Sequence, residues 1–258
     1  AEAIKAGVPV VPGTDSSVTD VKQLTDFVEE FGLPIIMKAA MGGGGKGMRV
    51  VREIKDLVPF FESATSEAEA AFGDGEVFVE RFVNRPRHIE IQILGDGKGN
   101  AVHLWERDCS VQRRYQKVVE IAPAWNLSPE LRKQLQDDAL RLCKGANYLN
   151  AGTVEYLVEP DGKYYFIEVN PRIQVEHTVT EQVTGIDLVQ AQMRIAGGAS
   201  FEEIGLVQEN IHATGIAMQC RITTENAERN FTPDTGTLSV YRHSAGFGMR
   251  MDGIGYSG

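Results

Sequence analysis

The stretch whose reading decides the fold runs from Thr153 to His177: T-V-E-Y-L-V-E-P-D-G-K-Y-Y-F-I-E-V-N-P-R-I-Q-V-E-H. Two apolar runs flank Pro160-Asp161-Gly162, and Asp-Gly between such runs is a strong hairpin signal. A two-residue turn at Asp161-Gly162 pairs Pro160 with Lys163, and that register puts Glu155 opposite Glu168 on one face. Two carboxylates about 5 Å apart repel by about 3 kcal/mol at an effective dielectric near 20. A cation between them removes the conflict, and Asn170 adds a third oxygen ligand to the same face. Hard cations bound by one or two carboxylates beside a phosphate substrate are usually Mg²⁺. Arg172, Gln174 and Glu176 follow at period two, which extends that face to an arginine and a further carboxylate. The competing reading is a pair of solvated surface glutamates.

Working outward, the 258 residues suffice for one large or two smaller domains. The net charge of −10 implies no basic surface for nucleic acid or for an anionic membrane, so a bound nucleotide needs local features. No apolar run reaches membrane-spanning length. Cys109, Cys143 and Cys220 are widely spaced, with no C-x-x-C, which fits a reducing compartment. The ends read as cut from a longer polypeptide: there is no initiating Met, and residues 1–7 read as the last turns of a helix closed by Gly7.

Toward the N-terminus, Val8–Val11 reads as a strand. A helix capped by Thr19 carries Val21, Leu24, Phe27, Val28 and Phe31 on one face and stops at Gly32. The apolar strand Leu33–Ala39 ends in Lys38, whose charge asks for an anion. Gly42–Gly47 lies between two strands. It is neither a dinucleotide fingerprint nor a P-loop, and its N–H groups suit phosphate oxygens. Glu53–Phe72 reads as a helix with its first turns perturbed by Pro59. Beyond Val77 the pattern becomes antiparallel: Ile89, Ile91 and Ile93 alternate with His88, Glu90 and Gln92, a half-buried strand. Glu106–Lys117 is a polar, cation-rich run, Ser128-Pro129 opens a helix, Ile186–Ala196 forms another, and 214–223 and 237–241 read as strands. These residues alone reach a magnesium–nucleotide site with an acid–base carboxylate, and no substrate.

Four ordered motifs then resemble one family. They are Leu33–Ala39 with Gly42–Gly47, Glu106–Lys117 (E-R-D-C-S-V-Q-R-R-Y-Q-K), Phe166–Ile173 (F-I-E-V-N-P-R-I), and Gln174–His177 (Q-V-E-H). Together they resemble the biotin carboxylase domain of biotin-dependent carboxylases, an α+β enzyme of the ATP-grasp fold. Val119–Pro123, Ala217–Glu225 and Phe231–Gly236 are most similar to the branch that acts on pyruvate, with the acyl-CoA carboxylases as the alternative. The resemblance implies a connector at 1–12, a glycine-loop lid subdomain at 13–83 and a central antiparallel subdomain at 84–258, truncated at both ends.

The same resemblance implies ATP contacts at Lys38, Gly44, Gly45, Glu80, Arg81, Phe82, Val83, His88, Gln112, Tyr115 and Leu157. Tyr115 stands where the family often has histidine. Glu155, Glu168 and Asn170 match the positions that hold Mg²⁺ or Mn²⁺. Lys117, Arg172 and the Val175 backbone match a bicarbonate clamp, Glu176 the general base, and Arg221 the arginine facing biotin. The implied reaction is ATP- and bicarbonate-dependent carboxylation of biotin through carboxyphosphate. The implied partners are biotin on a carrier domain and a carboxyltransferase domain of the parent chain, in a homo-oligomer of the cytoplasm or the mitochondrial matrix. The fragment alone is expected to turn over weakly or not at all.

Overall fold

The structure is a computed structural model that describes residues 2–41 and 47–256. The chain divides into two compact units, Ala1–Cys220 and Arg221–Gly258. Helices are α1 (Glu2–Lys5), α2 (Val21–Phe31), α3 (Leu57–Phe72), α4 (Pro129–Gly145), α5 (His177–Thr184) and α6 (Leu188–Ala196). Strands of the first unit are β1 (Ile35–Ala39), β2 (Met48–Val51), β3 (Val77–Arg81), β4 (Arg87–Asp96), β5 (Ala101–Arg113), β6 (Gln116–Ala122), β7 (Leu149–Val158), β8 (Tyr164–Asn170) and β9 (Ala217–Cys220). The second unit holds one short antiparallel pair, β10 (Glu225–Asn226) with β11 (Thr232–Pro233).

Two antiparallel sheets organise the first unit. The small one has the order β2-β1-β3 and the large one β8-β7-β4-β5-β6-β9. The small sheet buries Ile35, Met37, Val51, Val77 and Val79 against Leu24, Phe27 and Val28 of α2 and Leu57 and Ala64 of α3. α2 begins at Asp20, whose side chain accepts from the Gln23 N–H, one residue later than the expected Thr19 cap. On the large sheet, Ile89, Ile91, Ile93, Val154, Tyr156 and Val158 pack with Leu135, Ala139 and Cys143 of α4. Ser128 caps α4 by accepting from the Leu131 N–H, with Pro129 in the first turn, as its sequence predicts.

Several elements differ from expectation. Val8–Val11 forms a single parallel bridge, Val10 to Phe166, instead of a strand. α3 starts at Leu57 after a 3-10 turn at Ile54–Asp56, because Pro59 is tolerated only in a first turn. α5 went unread, and residues 237–241 form no strand. The glycine loop at Gly42–Gly45, with Lys46, lies outside the described residues. Both sheets fall within the first unit, so the boundary near 83 lies between sheets inside it.

Candidate functional site

The β7–β8 hairpin reaches the expected pairing by an unexpected route. Its loop has three residues, Pro160, Asp161 and Gly162: the Glu159 N–H donates to the Lys163 carbonyl at 2.7 Å and the Gly162 N–H to the Glu159 carbonyl at 3.0 Å. Pro160 suits the first central position of that turn, and Gly162 supplies the left-handed backbone (φ 87°) that follows it. From the turn the register runs Val158 with Tyr164, Leu157 with Tyr165 and Tyr156 with Phe166. Left uncorrected, it would set Glu155 against Ile167. A bulge leaves Ile167 unopposed, and Glu155 then pairs with Glu168. The two-residue turn is therefore corrected, and the opposed glutamates stand.

A second bulge, between β4 and β5, shifts the register from Ile93–His103 to Ile91–Glu106, with Trp105 at φ 65°. Without it Glu90 would face Glu106; with it Glu90 faces Arg107. Glu90 also faces Glu155 on its other side. One row thus crosses four strands: Arg107, Glu90, Glu155, Glu168. Gln92, Thr153 and Asn170 form the adjoining row, with His88 and Leu157 on the opposite side.

The first three members of this row are buried: Arg107 and Glu90 are 0% exposed and Glu155 4%. Charges so placed must be paired and hydrogen-bonded. Arg107 has five N–H donors, and five acceptors meet them. Its Nε donates to Glu90 Oε1 at 2.5 Å, and its two terminal nitrogens to Gln92, Thr180, Thr153 and Gln174 at 2.7–3.3 Å. Lys117, from β6, binds Glu90, Glu155 at 2.7 Å and Glu176 at 2.8 Å. Burial pushes the Lys117 ammonium pKa down, and the neighbouring glutamates more than reverse that, so it stays charged. Glu155 is pushed up by burial and pulled well below the usual carboxylate range by His88 and Lys117. Glu176 is likewise pushed up by burial and lowered on balance by Lys117 and Arg107.

The period-two continuation past Asn170 fails. β8 ends there, and Glu176 arrives through an irregular 171–175 segment as the residue preceding α5. Arg107 fixes that segment by binding both Gln174 and Thr180. Glu176 is buried, at 2% exposed, while Val175 and Arg172 beside it are exposed, with Arg172 donating to the Ile173 carbonyl at 3.2 Å.

On the other side of the row, His88 Nε2 lies 2.7 Å from Glu155 Oε2 and its Nδ1 3.1 Å from Gln112 Nε2. Leu157, the cross-strand partner of His88, is half-buried. Tyr115 sits with Arg114 at the exposed tip of the β5–β6 hairpin, both left-handed (φ 64° and 53°). In the small sheet Lys38 pairs with Glu80, and Arg81 with Glu159. Phe82 stacks under Arg52, and Val83 is buried. Gly44 and Gly45 lie outside the described residues, and Arg221 belongs to the second unit.

The donor set fits a hard divalent cation. Asn170 Nδ2 lies 2.9 Å from Glu155 Oε1 and 3.4 Å from Glu168 Oε1, so its amide bridges the opposed carboxylates. Turning that amide over offers Oδ1 in place of the N–H. Charge counting points the same way. Glu90, Glu155 and Glu176 face Arg107 and Lys117, leaving one negative charge over, and exposed Glu168 adds a second. A divalent cation held by Glu155, Glu168 and Asn170 balances both.

Residues 1–204 match the family model described as carbamoyl-phosphate synthase L chain, ATP binding domain. The chain belongs to that family. Among curated members, it is 59% identical over 251 residues to pyruvate carboxylase of Aspergillus niger, covering 97% of this chain and 21% of that protein. It is 58% identical over 250 residues to mitochondrial pyruvate carboxylase of Homo sapiens, with the same shares. The chain thus spans about a fifth of the curated relatives it matches. Among solved structures, a pyruvate carboxylase variant of Rhizobium etli with the allosteric activator acetyl coenzyme A aligns at TM-score 0.90 and 53% identity, over 100% of this chain and 23% of that one. The biotin carboxylase domain dimer of Hydrogenobacter thermophilus 2-oxoglutarate carboxylase, in complex with MgADP, ADP and bicarbonate, aligns at TM-score 0.88 and 44% identity, over 96% and 54%. The expected α+β ATP-grasp architecture is therefore the fold of this family member.

Sequence reasoning missed Glu90 and Arg107 as site residues. The signal was present in the alternation of His88, Glu90 and Gln92, read as the open side of a half-buried strand. β4 is in fact buried on both faces from Ile89 to Gly95.

Proposed function

We propose that this chain is the ATP- and bicarbonate-binding part of a biotin-dependent carboxylase, and carries out the first half-reaction of a pyruvate carboxylase. The observation that carries this reading is the buried meeting of Lys117 with Glu176 and Glu155, beside the opposed pair Glu155 and Glu168. A charged lysine, a buried carboxylate suited to act as a base and a carboxylate pair suited to a metal within one cluster support that reading.

Lys117 and Arg172 hold bicarbonate, with the Val175 backbone completing the clamp. Glu176, ionised near neutrality, accepts the bicarbonate proton as the oxygen attacks the γ-phosphorus of ATP and ADP leaves. Lys117 has three N–H donors on three carboxylates, so bicarbonate displaces one of them as it enters. Glu155, Glu168 and Asn170 would hold a magnesium ion, which would supply positive charge against the charge developing on the phosphate oxygens. Lys38, with Gly44 and Gly45 of the lid subdomain 13–83, grips the phosphates. Glu80–Val83, His88, Gln112, Tyr115 and Leu157 line the rest of the nucleotide. Carboxyphosphate then breaks into CO₂ and inorganic phosphate, the phosphate takes the ureido N–H proton of biotin and the nitrogen bonds to the CO₂, a step in which Arg221 stabilises the enolate oxygen of biotin. Biotin arrives on a carrier domain of the parent protein, a homo-oligomer of the cytoplasm or the mitochondrial matrix; a biotin carboxylase domain dimer and a mitochondrial pyruvate carboxylase among the relatives support that reading. No described helix is long and apolar enough to cross a membrane.

The test is phosphate release by the full-length parent with and without bicarbonate and biotin. Glu176→Gln should lower bicarbonate-dependent ATP cleavage by about 10²–10⁴-fold, the range for a general base. Calorimetry should still show MgATP binding. ATP binding with no bicarbonate-dependent cleavage by the unaltered protein would make it a nucleotide binder without this chemistry.

A further inference from the structure

We propose that Arg81, Glu159 and Tyr165 form a clamp that positions the nucleotide edge Glu80–Val83, and that the Arg81 side chain itself does not touch nucleotide. The inference rests on the assignment of that edge to adenine in the proposed function.

Arg81 ends β3, the last strand of the small sheet, while Glu159 and Tyr165 belong to the β7–β8 hairpin of the large sheet. The guanidinium engages Glu159 with both terminal nitrogens, Nη1 to Oε1 at 3.4 Å and Nη2 to Oε2 at 3.0 Å. Its carbon lies 5.0 Å from the centre of the Tyr165 ring. The Tyr165 hydroxyl closes the triangle by donating to Glu159 Oε2 at 3.2 Å. Both charged side chains are partly shielded, at 27% and 15% exposure, so water screens the pair less than it would a surface contact. A planar fork on a carboxylate, stacked on an aromatic ring, fixes orientation as well as distance.

The place of the clamp gives it its meaning. Side chains alternate along β7, so Glu155, Leu157 and Glu159 share one face, and Tyr165 is the cross-strand partner of Leu157. The face that begins with the metal-ready pair therefore ends, four residues on, at the carboxylate that holds Arg81. The Arg81 N–H donates to the Pro12 carbonyl and the Phe82 N–H to the Pro34 carbonyl, so the backbone leaves the small sheet in a fixed direction just where the side chain is held. The hairpin that positions the phosphate-side ligands thereby also positions the base-recognition edge. The clamp sets the span between them.

The experiment is calorimetric titration of the full-length protein with MgATP and with MgITP, whose base presents a carbonyl where adenine presents an amine. Glu159→Gln and Arg81→Gln should each weaken ATP binding about tenfold, as expected for loss of a hydrogen bond to a charged group. The double variant should be no weaker than either single one. The preference for ATP over ITP should fall towards one in all three, which a loss of stability alone would not cause. Tyr165→Phe keeps the ring and should weaken binding only two- to threefold. An effect of Arg81→Gln not shared by Glu159→Gln would overturn the clamp in favour of direct contact. Lowered melting temperatures with unchanged ATP:ITP preference would overturn it in favour of a purely structural role. An unaltered protein that binds neither nucleotide would instead refute the functional reading on which the clamp rests.

Discussion

Glu90→Gln tests whether the buried row is held by mutual neutralisation. Glutamine keeps the shape of Glu90 and can still accept from Arg107 Nε, but it carries no charge and turns an amide N–H₂ toward Lys117. Lys117 retains Glu155 and Glu176. Arg107 does not fare as well: its remaining described hydrogen-bond acceptors, Gln92, Thr153, Thr180 and Gln174, are neutral, and Glu176 stays as a charged neighbour. A fully buried guanidinium then loses its hydrogen bond to the Glu90 carboxylate. Removing one partner of a buried pair costs about 3–5 kcal/mol. For a chain of this length that corresponds to a fall of about 10 °C in Tm. Urea unfolding of the 258-residue chain, fitted for midpoint and slope, measures the loss directly. Glu168→Gln is the comparator: the residue is exposed and repelled by Glu155, so its stability change should stay within about 0.5 kcal/mol. A loss below 1 kcal/mol for Glu90→Gln, or equal losses for the two, would refute the reasoning.

Two other consequences are open to measurement. His103 is largely buried, and burial lowers its pKa from 6.5 to about 4, so between those values the unfolded chain binds a proton that the native chain does not. Stability should therefore fall as pH drops, by about 1.5 kcal/mol between pH 6.5 and 5. His103→Asn, followed by urea unfolding across that range, should flatten this limb, whereas an unchanged slope would assign it to other groups. A Cβ on Gly95 would lie 2.1 Å from the Tyr148 carbonyl oxygen, a backbone atom that cannot swing aside. Gly95→Ala should cost about 1–3 kcal/mol by thermal denaturation, while a neutral result would mean that the Tyr148 turn moves freely.

What the sequence disclosed depended on range. Asp161-Gly162 and the flanking apolar runs announced the hairpin, and Ser128-Pro129 announced α4, because those signals are local. The loop length was misread because Pro160 belongs inside the turn, and the bulge at Ile167 compensated for the error. No local pattern marks such a bulge: Ile167 is one more apolar residue in an apolar run. The same holds for Trp105, whose left-handed backbone decides whether Glu90 meets a base or an acid. Arg107 and Glu90 escaped notice because alternation divides a strand into two faces without saying whether the polar one meets water. Here the 171–176 segment and α5 cover it, elements that only folding brings near.

The bulge at Ile167 separates two jobs that a plain hairpin would have to combine. In an unbroken ladder, every residue added to or removed from the tip would turn Glu168 and Asn170 to the opposite side of the sheet. With slack stored between the tip and the carboxylates, the outer turn and the ligand-bearing rungs are addressed from different ends. The tip is thereby free to change length, provided the rungs below Ile167 keep their own count. A deletion of Ile167 itself would close the bulge into a plain ladder, with Phe166 still opposite Tyr156 and Glu168 still opposite Glu155, so the ligand pair would outlast the slack that shelters it.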